Sequence, residues 1–143
     1  MPEPIALRLN FLRAAYLIMA GGLAVYIWPA ILNHPLNVPR MSGVATSMLG
    51  ALAVLAAFGL RYPLAMLPVL IFELLWKAIW LTAYALPLWR AGQMNEATAA
   101  TVTECIPVVL FVLVIPWRYV FDRFIRRPAE PWRNATQAES RNA

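Results

Sequence analysis

Residues 63–89, PLAMLPVLIFELLWKAIWLTAYALPLW, form a long apolar stretch that carries Glu73 and Lys77 near its middle. An α-helix needs about 20 apolar residues to cross a hydrocarbon layer about 30 Å thick, because each residue rises about 1.5 Å. Counted from Pro63, Glu73 lies about 15 Å and Lys77 about 21 Å along such a helix. The stretch therefore predicts a membrane-spanning helix with an acid and a base close to the midplane.

The rest of the composition agrees with a membrane protein. Of the 143 residues, 62% are apolar and only 13% are charged, whereas about a quarter of the residues are charged in a soluble domain. The net charge of +5 is assigned to membrane flanks and not to nucleic-acid binding. One cysteine, Cys105, and one histidine, His34, leave no disulfide framework and no histidine-rich metal site, so no metal or cofactor is expected.

Three further stretches are long and apolar enough to span the bilayer, and turn-forming residues separate all four. Because the connections are short, consecutive helices are expected to be antiparallel neighbours. The predicted fold is an all-α, polytopic membrane protein with four transmembrane helices in an antiparallel bundle. Residues 1–127 would form this single domain, and the polar residues 128–143 a disordered tail. The expected spans are residues 11–32, 41–60, 63–89 and 99–121.

The arginines predict the orientation, because cytoplasmic flanks are enriched in basic residues. In the four-span arrangement Arg40 and Arg90 fall on one side, and nine arginines fall on the other. Both termini are therefore expected in the cytoplasm, with the chain in the inner (plasma) membrane. The richer side holds Arg8, Arg13, Arg61, Arg118, Arg123, Arg126, Arg127, Arg133 and Arg141. Of these, the cluster of Arg123, Arg126 and Arg127 is expected to contact anionic lipid headgroups.

A candidate site is expected around the charges of the third span. Glu73 and Lys77 are four residues apart with the acid first, which is the favourable order for an ion pair on a helix. Steps of three and four residues extend the same stripe to Trp76, Trp80 and Tyr84. These aromatic residues form either interior packing or the wall of a binding site.

Residues of the other spans lie at a similar predicted depth. Glu104 lies about 21 Å from the cytoplasmic edge of the fourth span, level with Lys77, so that Lys77 could bridge Glu73 and Glu104. The two acids and one base carry a formal charge of minus one, which favours one acid holding a proton in apolar surroundings. The hydroxyl groups expected to complete the cluster are those of Tyr26, Thr46 and Ser47.

Three classes of function fit these residues. The leading hypothesis is movement of a small ion or solute, including the case of coupling to protons, with Glu73 and Glu104 as acceptors and Lys77 as counter-charge. A homo-oligomer is expected, because one four-helix unit leaves little room for an aqueous path.

The alternative is an accessory protein whose charged third helix pairs with a partner membrane protein or lipid. A membrane enzyme is the least supported class, since no nucleophile or metal set is evident. The ion pair could also serve only to fix the register of the helices.

Overall fold

The computed structural model describes residues 3–130, with side chains from residue 5 onward, and this part of the chain is helical without any strand. Of the predicted tail, residues 131–143 lie outside the described part. Two five-residue π-helical segments, Leu81–Ala85 and Asp122–Arg126, interrupt or extend the helices. The α-helices are α1 (Glu3–Leu32), α2 (Arg40–Arg61), α3 (Leu67–Trp80), α4 (Leu86–Arg90), α5 (Glu96–Cys105), α6 (Val108–Val114) and α7 (Trp117–Phe121).

Four helical stretches are long and apolar enough to cross a membrane, as the sequence predicts. Only 17–28% of the most apolar 18-residue window of each stretch is buried inside the protein, so the outer surface of the helices is mostly apolar. Such a surface suits hydrocarbon as the surrounding solvent. The four stretches are Ile5–Leu32, Arg40–Arg61, Leu67–Arg90 and Glu96–Val114.

The third stretch begins four residues later than the sequence suggests. Residues 63–66 form a turn in which the backbone N–H of Met66 donates to the carbonyl of Tyr62 at 3.1 Å. Pro68 lies in the first turn of α3, where its missing N–H disrupts no helical hydrogen bond. Glu73 is therefore about 9 Å from the start of α3, and not about 15 Å as counted from Pro63.

The expected fourth span, residues 99–121, is broken twice by proline. The helical stretch begins where the Asn95 side chain accepts a hydrogen bond from the backbone N–H of Thr98 at 2.7 Å, an N-terminal cap. Pro107 separates α5 from α6, and Pro116 follows Ile115, whose backbone is extended at ψ 124°. The long helix expected through residue 121 thus ends as a candidate span at Val114, because proline cannot donate the next helical hydrogen bond.

The core is centred on the contact between α1 and α2. The buried Tyr16 of α1 lies against Gly59 of α2, and its hydroxyl donates to the carbonyl of Pro63 at 2.8 Å. Further along, Gly50 faces Ile31. Small residues of α2 let the two backbones approach closely. The α3 helix contacts α2 and α6, and α6 also contacts α1. The buried cluster is Leu12, Ala15, Tyr16, Met19, Leu52, Ala56, Leu67, Val69, Leu70, Val108, Phe111 and Ile115.

Candidate functional site

Glu73 is held by two neighbours on its own helix. Its Oε1 lies 2.6 Å from Nζ of Lys77, and its Oε2 accepts a hydrogen bond from Nε1 of Trp76 at 2.6 Å. These contacts follow from the helix, because residues three and four positions apart share a face. Lys77 Nζ also lies 5.5 Å from the centroid of the Trp76 ring, within the range of a cation–π contact. Glu73 is only 3% exposed. Each oxygen of this buried carboxylate therefore has a partner, Lys77 for Oε1 and Trp76 for Oε2.

This ion pair borders a cavity of about 550 Å³, which is here called the Glu73 groove. The volume falls within the range of about 300–1,000 Å³ that is common for small-molecule sites. The groove reaches the surface of the protein, since Tyr26 on its rim is 79% exposed. Its lining comes from all four long stretches: Ile18, Met19, Gly22, Leu23, Tyr26, Ile27, Leu49, Glu73, Trp76, Lys77, Thr101, Glu104, Cys105, Pro107, Val108 and Phe111.

Five of the predicted site residues line this groove together: Tyr26, Glu73, Trp76, Lys77 and Glu104. Among the described side chains, the carboxylate of Glu73 is the only one that lies within 4.0 Å of Nζ of Lys77. Glu104 lines the groove but makes no such ion pair with Lys77. The expected bridge from Lys77 to two acids is therefore made to one acid.

Two predicted hydroxyl residues lie elsewhere. The side chains of Thr46 and Ser47 donate to the carbonyls of Ser42 and Gly43, both at 2.8 Å. Both residues line a second cavity of about 560 Å³ where α1 ends and α2 begins. Hydroxyls that bond to the preceding turn of their own helix are satisfied locally, so they do not need the charged cluster.

The three aromatic residues of the predicted stripe do not lie together in one site. Trp76 lines the Glu73 groove, whereas Trp80 and Tyr84 line neither cavity. Trp80 is the last residue of α3, and Tyr84 lies within the π-helical segment Leu81–Ala85 that follows it. A π-turn holds more residues per turn than an α-helix, so steps of three and four no longer keep to one face. Tyr84 is accordingly 63% exposed.

Sequence reasoning placed Tyr26 of α1 at the site but missed the apolar residues that α1 and α6 contribute to the groove. Met19 and Phe111 are buried and line the groove, and Cys105 lies buried beside Glu104. Gly22 has open space where a side chain would be, which leaves room in the groove. The signal available in the sequence was Pro107, since a proline next to Glu104 and Cys105 predicts a break or kink between α5 and α6.

The predicted headgroup cluster follows the break at Pro116. Arg123, Arg126 and Arg127 are all exposed, and Arg126 pairs with Asp122 at 3.3 Å on the surface. The guanidinium of Arg126 also lies 5.5 Å from the centroid of the Phe121 ring. Contact of this cluster with anionic lipid stays a prediction.

Within residues 3–130, no group of three or more His, Cys, Asp or Glu side chains is arranged to hold a metal ion. Comparison with family models, curated proteins and solved structures found no match to this chain. The function must therefore be argued from the groove itself.

Proposed function

We propose that this chain is a multi-pass protein of the inner (plasma) membrane that moves a small ion or solute through the Glu73 groove. In this proposal the four spans form an antiparallel bundle with both termini in the cytoplasm, as the distribution of arginines favours. The observation that carries the proposal is a buried ion pair that faces open volume inside a membrane-type fold.

The energetic cost of the charges supports this proposal. Insertion scales assign about 2.5–3.5 kcal/mol to a charged residue at the centre of a membrane helix. The pairing of Glu73 with Lys77 offsets part of that cost. A pair that only fixed the helix register would be expected to pack against a neighbouring helix. Here the pair borders a cavity of about 550 Å³, which favours a site.

The groove also supplies the chemistry that transfer requires. Nζ of Lys77 lies 2.6 Å from Oε1 of Glu73, so a proton or cation that reaches Glu73 must compete with the ammonium group. Glu104 provides a second carboxylate along the same groove. Movement between the two acids would change the charge beside Lys77, which is a basis for proton coupling. A homo-oligomer would enlarge the path that one unit provides.

The accessory function is less well supported. Pairing of the third helix with a partner protein would require its charges to face outward from the chain. Glu73 is instead 3% exposed, and the Lys77 side chain is 13% exposed. What the third helix presents outward is largely apolar, including Phe72, Leu75 and Ile79, as expected for a surface in contact with lipid.

The test is ion flux through proteoliposomes that contain purified protein, with proton and K⁺ movement followed by indicator dyes. Glu73→Gln keeps the shape and the Trp76 contact but removes the charge, so flux above the protein-free background is expected to be lost. Glu96→Gln is the matched control, since Glu96 is an exposed acid outside the groove, and it should keep the flux.

Unchanged flux in a correctly assembled Glu73→Gln protein would contradict the proposal. If this variant lost only its co-purification with another membrane protein, the accessory function would replace transport. Aggregation of the variant would indicate that the pair fixes the register of the helices.

A further inference from the structure

The charged side chains that line the Glu73 groove, two acids and one base, carry a formal net negative charge. Glu73 and Lys77 neutralise each other at 2.6 Å. Glu104 adds a second negative charge to the lining, and in the described part of the chain no basic side chain lies within 4.0 Å of it. Charges act over longer distances in apolar surroundings than in water. The groove is therefore complementary to a cation and repels an anion.

The walls of the groove favour an organic cation over an inorganic one. Three aromatic side chains, Tyr26, Trp76 and Phe111, reach the groove from α1, α3 and α6. Aromatic faces attract ammonium and other organic cations, and Trp76 already lies against the ammonium of Lys77. An inorganic cation instead requires several oxygen ligands. The part of the chain that the structure describes offers no cluster of acidic, histidine or cysteine ligands for a metal.

The remaining lining is aliphatic, with Ile18, Met19 and Leu23 of α1 facing the cavity. An apolar body is needed to cover this surface, because apolar area gains free energy when it leaves water. We propose that the Glu73 groove binds a lipophilic organic cation, with Glu104 as its counter-charge and the three aromatic side chains as its wall. This inference rests on the proposed function, since such a cation would be the solute that is moved.

A matched pair of probes can separate charge recognition from simple partitioning. Tetraphenylphosphonium and tetraphenylborate have nearly the same shape and apolar surface but opposite charge. Equilibrium dialysis against the purified full chain in detergent, with empty micelles subtracted, would measure binding of each probe. We expect the phosphonium to bind at least tenfold more tightly than the borate. Equal binding of the two ions would overturn the proposal, because it would indicate an apolar groove that holds any lipophilic molecule.

Variants of Glu104 test the source of the selectivity. Glu104→Gln is expected to weaken phosphonium binding about tenfold, and Glu104→Lys to reverse the preference toward the borate. Glu96→Gln, on the same fourth stretch but outside the groove, should bind as the natural chain does. Since Glu104 is exposed, thermal unfolding of each variant should match the natural chain. Equal effects of the Glu104 and Glu96 variants would overturn the proposal.

The failure of this inference is distinguishable from failure of transport. Selective phosphonium binding without protein-dependent flux of protons, K⁺ or the phosphonium itself in proteoliposomes would support the cation site while contradicting the transport function. Flux that depends on Glu73, together with no preference between the two probes, would support transport while overturning the cation as its solute.

Discussion

The first and second halves of the chain differ in the continuity of their helices. The first half contains α1 and α2, two uninterrupted helices of 30 and 22 residues that contact each other along their length. The second half divides its two spans into shorter pieces, with a π-helical segment at Leu81–Ala85 and proline breaks at Pro107 and Pro116. The ion pair of α3 also lies in this half.

The difference follows from which residues face the neighbouring helix. Gly50, Ala53, Ala56 and Gly59 are buried along α2, and such small side chains allow close backbone approach. In the second half the helices are broken at Pro107 and Pro116, and Pro107 itself lines the Glu73 groove. We infer that the first half supports the groove, to which it contributes seven lining residues, and that the second half carries its charged residues.

The largest expected effect concerns the ion pair of the second half. Lys77→Met leaves Glu73 buried with Trp76 as its remaining partner. Loss of one member of a buried pair is expected to lower the free energy of unfolding by about 3–5 kcal/mol, because the other charge stays uncompensated. Unfolding by SDS in mixed micelles would measure this change.

The control for that prediction is the double variant Lys77→Met with Glu73→Gln, which removes both charges. It should recover most of the lost stability. A single variant that unfolds like the natural chain would show that the pair is solvated and that the two halves do not differ in this way.

The next effect concerns the support half. A Cβ atom on Gly59 would overlap the ring of Tyr16, so Gly59→Ala is expected to destabilise the protein by about 1–3 kcal/mol through overpacking. The same unfolding measurement checks it. Gly43→Ala is the matched control on the same helix, because no atom lies within 4 Å of the added carbon. That control should be neutral or slightly stabilising, and equal losses in both variants would contradict the close contact of α1 and α2.

The smallest effect concerns the link between the halves. Tyr16→Phe removes the hydrogen bond to the carbonyl of Pro63, in the turn that leads into α3. The expected loss is about 1–2 kcal/mol, because a buried carbonyl is left without its donor. Thermal unfolding in detergent would detect it. Tyr26→Phe, a change at an exposed tyrosine, should leave the unfolding temperature unchanged, and a similar shift in both variants would argue against the role of this hydrogen bond.

Much of the fold could be predicted from local properties of the sequence. The four apolar stretches and the ion pair of Glu73 with Lys77 depend on composition and on helical spacing. The positions of Thr46 and Tyr84 could not be obtained that way. Thr46 satisfies its hydroxyl within its own helix, and Tyr84 lies on a π-helical segment that changes the angular step.

The sequence by itself determined the number of stretches able to cross a membrane and the presence of charge within the third, because hydrocarbon thickness and the cost of a charge act on each segment separately. Only the tertiary structure decided that Glu73 and Lys77 face a groove shared with Glu104, Tyr26 and Phe111. That arrangement depends on how the helices rotate against one another, which follows from packing between distant parts of the chain.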